Sequence, residues 1–427
     1  MQSSPASARP STNPVVEKWA LFVVISAIFF LISGATFSSL GVVLPSMIAE
    51  MSWTWSQAGA GFSLFALTVG LASTVPAWIL RRFGIKATYG IGGLAMTLGF
   101  CLLALTHNFH QYLYATAILG LGFASCATVP AVYLLTGWMP ERRSAAIGQF
   151  MTTGGLGAVA GPPAANAILA ASSWRSYWWS MAAVMLAFTV LALVFVKRPP
   201  AAAAAAAAAN ETVARPHERI RGHVYQTTSD WRFRDALRTW HFWVIASAMT
   251  ATLLCVLTAN SWALSQMGKL GVSKYTAAWV LGAGGAVSAL ARTLGGWLAT
   301  RVDPKWLLVS ALAGEGIGMA ALSIAGSWLP MTVFAVAEGF GFGMCLFATA
   351  VLLVNYFGTA ANPEIYGTFN LITTAAMIGP WLGGAVADRF GSFAGVFQVY
   401  AAALVLVAAL TAFMRPPGAR PDRRSTY

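Results

Sequence analysis

The sequence predicts an all-α membrane protein with twelve transmembrane helices in two parallel six-helix repeats. Three observations predict this fold class: a very apolar composition, apolar runs long enough to cross a bilayer, and an internal repeat. Of the 427 residues, 58% are hydrophobic and only 9% are charged, whereas roughly a quarter of the residues are charged in soluble domains. A chain of this composition is suited to a lipid environment.

Apolar runs of about 20 residues, the length that a helix needs to cross a hydrocarbon core of roughly 30 Å, recur along the chain. We expect helices because only helices and closed barrels satisfy backbone polar groups in lipid. A barrel would require short alternating segments, which the sequence lacks. The predicted spans are 20–45, 59–80, 87–106, 112–137, 146–170, 176–196, 240–266, 276–299, 306–325, 329–357, 365–386 and 394–414.

The net charge of +13 could suggest a nucleic-acid partner, but the positions of the basic residues argue against one. If the N-terminus is cytoplasmic, 21 of the 26 Lys and Arg residues fall in the tails and in the loops on the same side. The opposite side holds Arg175, Lys269, Lys274 and Arg389. This asymmetry is the positive-inside signature. We therefore expect the protein in the inner membrane of the cell, with both termini in the cytoplasm.

Residues 197–239 separate six predicted helices from six, because this stretch is too polar and too interrupted to cross a membrane. Its run of alanines is typical of a linker. We therefore divide the chain into five parts. They are a cytoplasmic tail (1–19), an N-terminal half (20–196), a cytoplasmic linker (197–239), a C-terminal half (240–414) and a second cytoplasmic tail (415–427).

A shift of 219 residues superposes one half of the sequence on the other. The matched pairs include Trp78 with Trp297, Arg82 with Arg301, Lys86 with Lys305, Gly120 with Gly339, Cys126 with Cys345 and Phe150 with Phe369. The register holds without a gap from residue 78 to residue 150. Because basic loops recur at equivalent helix ends, the two halves are predicted to be parallel structural repeats.

Two six-helix repeats joined by a cytoplasmic linker resemble the major facilitator superfamily, whose substrate site lies between the halves near the membrane middle. The segment AWILRRFGIK (77–86) is similar to the superfamily's loop signature, Gly-x-x-x-Asp-Arg-x-Gly-x-Arg/Lys. The segment GGWLATRVDPK (295–305) is its counterpart in the second half. The resemblance covers nearly the whole chain and implies a transporter that exposes one site alternately to the two sides.

This resemblance implies gating roles for the basic residues of the two loops. These are Arg81, Arg82, Lys86, Arg301 and Lys305. The acidic position of the signature is occupied by Arg81 in the first copy and by Thr300 in the second. If the family's aspartate latches the cytoplasmic gate by charge pairing, the latch is weakened or differently built here. A further segment, GGAVADRFG (383–391), matches the signature but lies on the predicted outer side, where we assign it no function.

The fifth predicted helix contains GGLGAVAGPPAANA (154–167), which is similar to the superfamily's glycine-rich fifth-helix pattern. Small residues let helix backbones approach closely, and proline bends a helix. A helix that rocks during transport and a helix that is only tightly packed would both need these residues. In both cases we expect close helix contact here.

Three charged residues lie inside predicted spans, where a charge costs at least about 2.5–3.5 kcal/mol, so they are functional candidates. Arg292 lies roughly 13 Å from the cytoplasmic end of helix 8. Glu338, in helix 10, lies at a similar depth, so the two side chains could pair. The pair could be a permanent salt bridge, or a substrate carboxylate could compete with Glu338 for the arginine. For Glu315, in helix 9, we expect no substrate role.

The segment SALARTLGG (288–296) resembles the helix-8 arginine region of monocarboxylate porters and oxalate/formate exchangers. The segment WMPERRSAAIGQFMTTGGLG (138–157) resembles their loop into helix 5. This resemblance implies that Arg292 binds the substrate carboxylate. The chain departs from these families because Ser288 replaces an aspartate, and because their lysines in helices 1 and 11 are absent. A single fixed positive charge balances a monoanion better than a dianion.

Other polar residues are predicted to line the site from helix placement alone. For each of them the alternative is an interhelical hydrogen bond worth roughly 1 kcal/mol. They are Thr36, Ser38 and Ser39 in helix 1, Tyr133 in helix 4, Asn260 in helix 7, Ser288 in helix 8, Asn355 in helix 10 and Asn370 in helix 11. Glu338 is the predicted proton carrier.

The predicted function is secondary active transport of small, monocarboxylate-like organic anions by a monomer, with proton symport or anion exchange. No Gly-Lys-Ser/Thr phosphate-binding motif is present, so we expect gradients to drive transport. We expect no cofactor and no metal, because the cysteines lack metal-binding spacing. We do not expect an enzyme, because the histidines suggest no catalytic or metal-binding cluster. We do not expect a receptor either, because a receptor would need an added signalling domain. The remaining alternative is transport of another solute, such as export of a drug or amphiphile.

Overall fold

The computed structural model describes residues 14–139, 142–198, 225, 227, 231–299, 301–358 and 362–417. Within these residues the chain forms helices and no strand. The predicted all-α fold class is therefore confirmed.

The N-terminal half makes six crossings from nine helices. These are α1 (Pro14–Ser33), α2 (Leu40–Met51), α3 (Trp55–Leu71), α4 (Val75–Phe83), α5 (Ile85–Ala104), α6 (Phe109–Cys126), α7 (Thr128–Trp138), α8 (Arg143–Ala171) and α9 (Trp174–Phe195). Three crossings have an irregular joint: a π-helical segment, Gly34–Ser38, joins α1 to α2, a 3-10 segment, Ala72–Thr74, joins α3 to α4, and Ala127 joins α6 to α7.

The C-terminal half makes six further crossings. After the short helix α10 (Phe233–Leu237) come α11 (Trp240–Lys269), α12 (Lys274–Leu298), α13 (Pro304–Ser323), α14 (Trp328–Phe357), α15 (Asn362–Thr373), α16 (Gly379–Phe390) and α17 (Ala394–Phe413). A 3-10 segment, Thr374–Ile378, joins α15 to α16 within one crossing.

Eleven stretches of the described residues are long and apolar enough to cross a membrane. They include every crossing except α8, which has 29 residues but is rich in Gly, Thr and Pro. Helix α8 packs against α1 in its own half and against α12 in the other half. It therefore lies inside the bundle, where a crossing helix needs less apolar surface than one that faces lipid. With α8, the crossings number twelve.

Polar loop residues determine where several helices begin. The side chains of Thr54, Asn108, Ser173, Thr239, Ser273 and Asp303 each accept a hydrogen bond from an amide in the first turn of α3, α6, α9, α11, α12 and α13. Such caps satisfy amides that have no partner within the helix. The apolar runs thus form the membrane crossings, and the polar residues between them determine where these helices begin.

The two halves contact each other mainly along three helix pairs: α3 with α16, α8 with α12, and α2 with α11. We call the side where α1 begins and α17 ends the termini face, and the other side the opposite face. On α8 and α12 the backbones approach closely, since a Cβ at Gly282 would lie 2.6 Å from the Val159 carbonyl oxygen. The small residues of α8 thus meet the other half.

The halves are further apart toward the termini face. Helices α4 and α7, which form the termini-face ends of two crossings in the N-terminal half, make no extended contact with the described helices of the C-terminal half. The structure is therefore a conformation closed at the opposite face, with space between helices toward the termini face.

Candidate substrate site

A cavity of about 470 Å³ lies between the two halves, a volume within the range of roughly 300–1,000 Å³ that small-molecule sites have. The N-terminal half contributes mainly apolar residues, among them Phe29, Phe37, Phe123 and Met151. The C-terminal half contributes Asn260, Ser288, Arg292, Phe334, Glu338 and Phe342, among others. Both charged residues of the cavity wall therefore come from one half.

Two of the irregular joints contribute to this cavity. Phe37 and Ser38 line it from the π-helical joint of the first crossing, and Met377 lines it from the 3-10 joint between α15 and α16. Irregular turns free a helix from its regular side-chain spacing, and π-helical turns are frequent at functional sites. The joints thus turn side chains of these two crossings toward the space between the halves.

Arg292 lines the cavity from α12. Its Nη2 donates a hydrogen bond to Ser288 Oγ, one turn earlier on the same helix, at 3.2 Å. The guanidinium carbon lies 5.2 Å from the centre of the Phe342 ring, and Nε is buried without a hydrogen-bond partner. Among the described residues no carboxylate forms an ion pair with this arginine. The guanidinium therefore has hydrogen-bond donors free for an anion.

Glu338 lines the same cavity from α14 and is 9% exposed. A Cβ at Gly284, on α12, would lie 3.4 Å from Glu338 Oε2. The Arg292 guanidinium contacts Ser288. Gly284 lies one helical turn before Ser288 on the same helix, or about 6 Å of rise. The carboxylate and the guanidinium are thus offset by about one turn. The pair expected from their matched depth is not formed in this structure.

Three of the other predicted polar residues lie in the cavity wall: Ser38, Asn260 and Ser288. Thr36 and Ser39 are buried, and their hydroxyls donate to the carbonyl oxygens of Ile32 and Gly34 at 2.6 and 2.5 Å. These two hydroxyls satisfy the backbone of their own crossing and do not line the cavity.

Tyr133, Asn355 and Asn370 do not line the cavity. Tyr133 on α7 is 39% exposed, and Asn370 on α15 is also exposed. Asn355 is buried near the termini-face end of α14, where its carbonyl oxygen accepts a hydrogen bond from the Thr227 amide at 2.8 Å. These residues lie on the predicted crossings but outside the cavity wall of this conformation, and their contact with the substrate stays a prediction.

The predicted gating residues lie at the termini face. Arg81, Arg82, Lys86 and Arg301 are exposed, and Lys305 is partly buried. The Arg301 guanidinium lies over the Trp297 ring at 3.9 Å. Lys305 Nζ donates to the carbonyl oxygens of Ala412 and Met414 at 3.3 and 3.2 Å. Within the described chain none of the five basic residues forms an ion pair, and their role in gating stays a prediction.

The segment GGAVADRFG lies at the opposite face and joins the two halves there. The two carboxylate oxygens of Asp388, on α16, accept hydrogen bonds from the amides of Trp55 and Ser56 at 2.8 and 2.9 Å. These amides begin α3, where the positive end of the helix dipole favours an anion. A Cβ at Gly384 would collide with the Trp55 carbonyl oxygen. Contacts of this segment therefore close the opposite face.

The sequence did not reveal two features of the site. One is the hydrogen bond from Thr252 to Glu315, two residues on different helices. The other is the aromatic wall around the guanidinium. The sequence could not indicate which phenylalanines form this wall, because phenylalanines occur on many helices. Within the described residues no group of three or more His, Cys, Asp or Glu side chains could hold a metal ion.

The family model of the Major Facilitator Superfamily matches residues 26–268 and 256–426 of this chain. Among solved structures, the nucleoside transporter NupG is similar with a TM-score of 0.72 at 12% identity, over 93% of this chain and 99% of that chain. At this identity the likeness shows the fold alone.

Among curated proteins, the chain is similar to monocarboxylate transporter 11 of Homo sapiens, with 31% identity over 157 residues, and of Mus musculus, with 30% identity over 157 residues. Each match covers 36% of this chain and 33% or 35% of the relative. A probable L-galactonate transporter of Escherichia coli K12 is 26% identical over 139 residues, which are 32% of this chain and 30% of that protein. The matches thus span about a third of the length of these relatives.

Proposed function

Because this chain belongs to the Major Facilitator Superfamily and is a multi-pass membrane transporter, we propose that it carries small organic anions by alternating access. The observation that carries this proposal is the position of Arg292. Its guanidinium lies in the cavity between the halves, its Nε has no partner, and no described carboxylate pairs with it. We assign Arg292 the role of binding the substrate carboxylate.

The chemistry of arginine supports this assignment. A guanidinium keeps its charge at any physiological pH, and its planar fork binds a carboxylate through two parallel hydrogen bonds. Ser288 and the Phe342 ring support the group from two sides. Because the surrounding wall is largely apolar, the interaction with an anion is less screened than it would be in water.

The names of the curated relatives agree with this substrate class. Monocarboxylate and L-galactonate are both carboxylates. The relatives are matched over only about a third of their length, so their names support the class of substrate and not its identity.

The asymmetry between the two faces supports alternating access. Asp388 and the close packing of α3 on α16 close the opposite face, while α4 and α7, at the termini face, make no extended contact with the described helices of the C-terminal half. With the positive-inside rule, we place the termini face in the cytoplasm and the protein in a bacterial inner membrane. The described conformation is then open to the cytoplasm.

We further propose that Glu338 couples transport to protons. It lies in the same cavity about one turn from the guanidinium, without an ion-pair partner among the described residues. A carboxylate at this place repels the substrate anion and a neutral carboxylic acid does not. Protonation of Glu338 would therefore favour binding of the substrate, as proton symport requires.

Uptake into reconstituted vesicles tests the proposal. Labelled lactate, pyruvate, formate and oxalate are supplied separately, with and without an inward proton gradient, and exchange is measured by counterflow. We expect a monocarboxylate to enter faster than oxalate, and we expect Glu338→Gln to lose the response to the gradient. Saturable transport of none of these acids would contradict the proposal.

A second candidate is export of an amphiphile, which the aromatic residues of the cavity favour. Five phenylalanines line it: Phe29, Phe37, Phe123, Phe334 and Phe342. The same vesicles, loaded with a fluorescent amphiphilic dye, distinguish the two functions. Dye transport that does not depend on Arg292 would favour the exporter.

A further inference from the structure

Glu315, on α13, is fully buried inside the C-terminal half and is not part of the cavity wall. The Thr252 hydroxyl, on α11, donates a hydrogen bond to Glu315 Oε2 at 2.8 Å. The second oxygen, Oε1, is buried and has no hydrogen-bond partner. This carboxyl group therefore has no contact with a substrate in the cavity.

No cation balances Glu315 on any of the helices that pack against α13. Helix α11 presents Thr252 and Cys255, and α14 presents Cys345 and Glu338. Helix α17 contributes the neutral Tyr400, near Cys255. Among the described residues no Lys, Arg or His forms an ion pair with Glu315.

An ionised carboxylate in this setting would lack both water and a counter-charge, which is strongly unfavourable in an apolar interior. A protonated carboxyl group is neutral and fits the site. Its unpartnered Oε1 is the atom that can carry the proton, since Oε2 already accepts the hydroxyl of Thr252.

Glu315 and Glu338 lie beside each other on two antiparallel helices, and each faces a glycine of the other helix. A Cβ at Gly341 would lie 2.6 Å from Glu315 Cβ, and a Cβ at Gly318 would lie 3.1 Å from Glu338 Cβ. On each helix the glutamate and the glycine are three residues apart, or about 4.5 Å of rise. The two carboxyl groups are therefore about one turn apart.

The two glutamates differ in their access to the cavity. Glu338 lines it, whereas Glu315 lies behind Glu338, within the C-terminal half. The Thr252 hydroxyl, which bonds Glu315, also lies 3.3 Å from Cys345 Sγ on α14, the helix that carries Glu338. A proton from the cavity thus meets Glu338 first and Glu315 second.

We propose that Glu315 is a proton-binding site that is loaded from the cavity through Glu338 and holds the coupling proton during transport. This inference rests on the proposed transport of organic acids. In the first step a proton leaves hydronium in the cavity and binds the Glu338 carboxylate. In the second it leaves Glu338 and binds Oε1 of Glu315, and a further hydronium in the cavity then protonates Glu338, so that Glu338 is neutral when the substrate anion binds and no other bond changes.

Infrared spectroscopy and vesicle transport on the full-length protein test this proposal together. The wild type is expected to show the carbonyl stretch of a protonated carboxylic acid, shifted in heavy water. Because Glu338 can also be protonated, the comparison is made in a Glu338→Gln background, where Glu315→Gln should remove this band and Cys345→Ser, which keeps Glu315 in the same pocket, should retain it. In vesicles, Glu315→Gln should lower accumulation driven by a proton gradient by about tenfold and change counterflow at equal pH by less than about twofold.

A band that persists when Glu315→Gln is added to the Glu338→Gln protein, or gradient-driven accumulation in Glu315→Gln equal to that of the wild type, would overturn the proposal. If wild-type protein moves no organic acid, the proposed function fails, but the infrared band still shows whether Glu315 holds a proton. If Glu315→Gln does not fold, Thr252→Val replaces it. Removal of the hydroxyl should shift the pH at which the band disappears, and an unchanged pH would count against Glu315.

Discussion

The two walls of the cavity come from equivalent halves of a repeated chain, yet they differ in chemistry. The wall from the N-terminal half presents Phe29, Phe37 and Phe123 with a few hydroxyls, whereas the wall from the C-terminal half presents Arg292 and Glu338. The first wall defines the shape of the site and the second provides its charges. An anion bound between them would be held electrostatically by one half only.

The sequence repeat allows the two halves to be compared position by position. In the register of 219 residues, Glu338 corresponds to Leu119 and Glu315 corresponds to Met96. All four side chains are at least nine-tenths buried. The same scaffold positions therefore serve packing in one copy and carry acids in the other, so a duplicated fold does not imply a duplicated site.

The largest effect is expected where a charge is placed in the apolar copy. Leu119→Glu buries a carboxyl group without a partner and should destabilise the fold by about 3–5 kcal/mol. The thermal unfolding of the purified protein in detergent measures this, with Leu119→Met as the control. The reciprocal variant, Glu338→Leu, should be at least as stable as the wild type. A Leu119→Glu protein of wild-type stability would mean that the N-terminal copy can hold a buried acid as the C-terminal copy does.

Removal of the cationic group should have the next largest effect. Arg292→Gln leaves a shorter polar side chain without the charge, and we expect initial uptake of the transported acid to fall at least about 100-fold. The exposed Arg301, in the predicted gating loop, provides the control. Arg301→Gln should stay within about fivefold of the wild type, and an equal loss in both variants would remove the special role of Arg292.

The hydroxyl that positions the guanidinium should matter less. Ser288→Ala removes the acceptor of the Nη2 hydrogen bond, and the loss of one such bond to a charged group weakens binding by about fivefold. The concentration dependence of uptake measures it, because KM should rise more than the maximal rate falls. Equal KM values in variant and wild type would show that Ser288 does not hold the arginine.

The smallest effect is expected in the apolar wall. Ser38 lines the cavity from the N-terminal half, but it is not among the groups that bind a charge in this account. Ser38→Ala should change uptake by less than about twofold. A loss as large as that of Arg292→Gln would shift the binding chemistry to the N-terminal half and break the comparison.

The fold could be predicted closely from the sequence because apolar runs and polar caps are local signals. The last crossing, predicted at 394–414, is Ala394–Phe413 in the structure. The first crossing was predicted too short: predicted at 20–45, it runs as α1, a π-helical joint and α2, from residue 14 to residue 51. The polar residues at its ends and Pro45 inside it lowered the local signal.

The site could be predicted only where a single residue was itself unusual. Arg292 was found because a charge in an apolar run is rare. Asn355 and Asn370 lie outside the cavity wall, and the sequence could not indicate this because helices that are apolar on all sides give no sign of which face meets the cavity. Counting residues from helix ends gave Glu338 and Arg292 a similar depth, but it could not give the direction in which each long side chain extends.

Calorimetric titration of purified wild-type protein with lactate and with lactamide tests the central claim most directly, because the two compounds differ in the carboxylate alone. The account predicts that lactate binds to the wild type, that lactamide does not, and that Arg292→Gln binds neither. Lactamide that binds as tightly as lactate, or lactate that binds equally well to Arg292→Gln, would contradict the claim that Arg292 recognises the negative charge of the substrate.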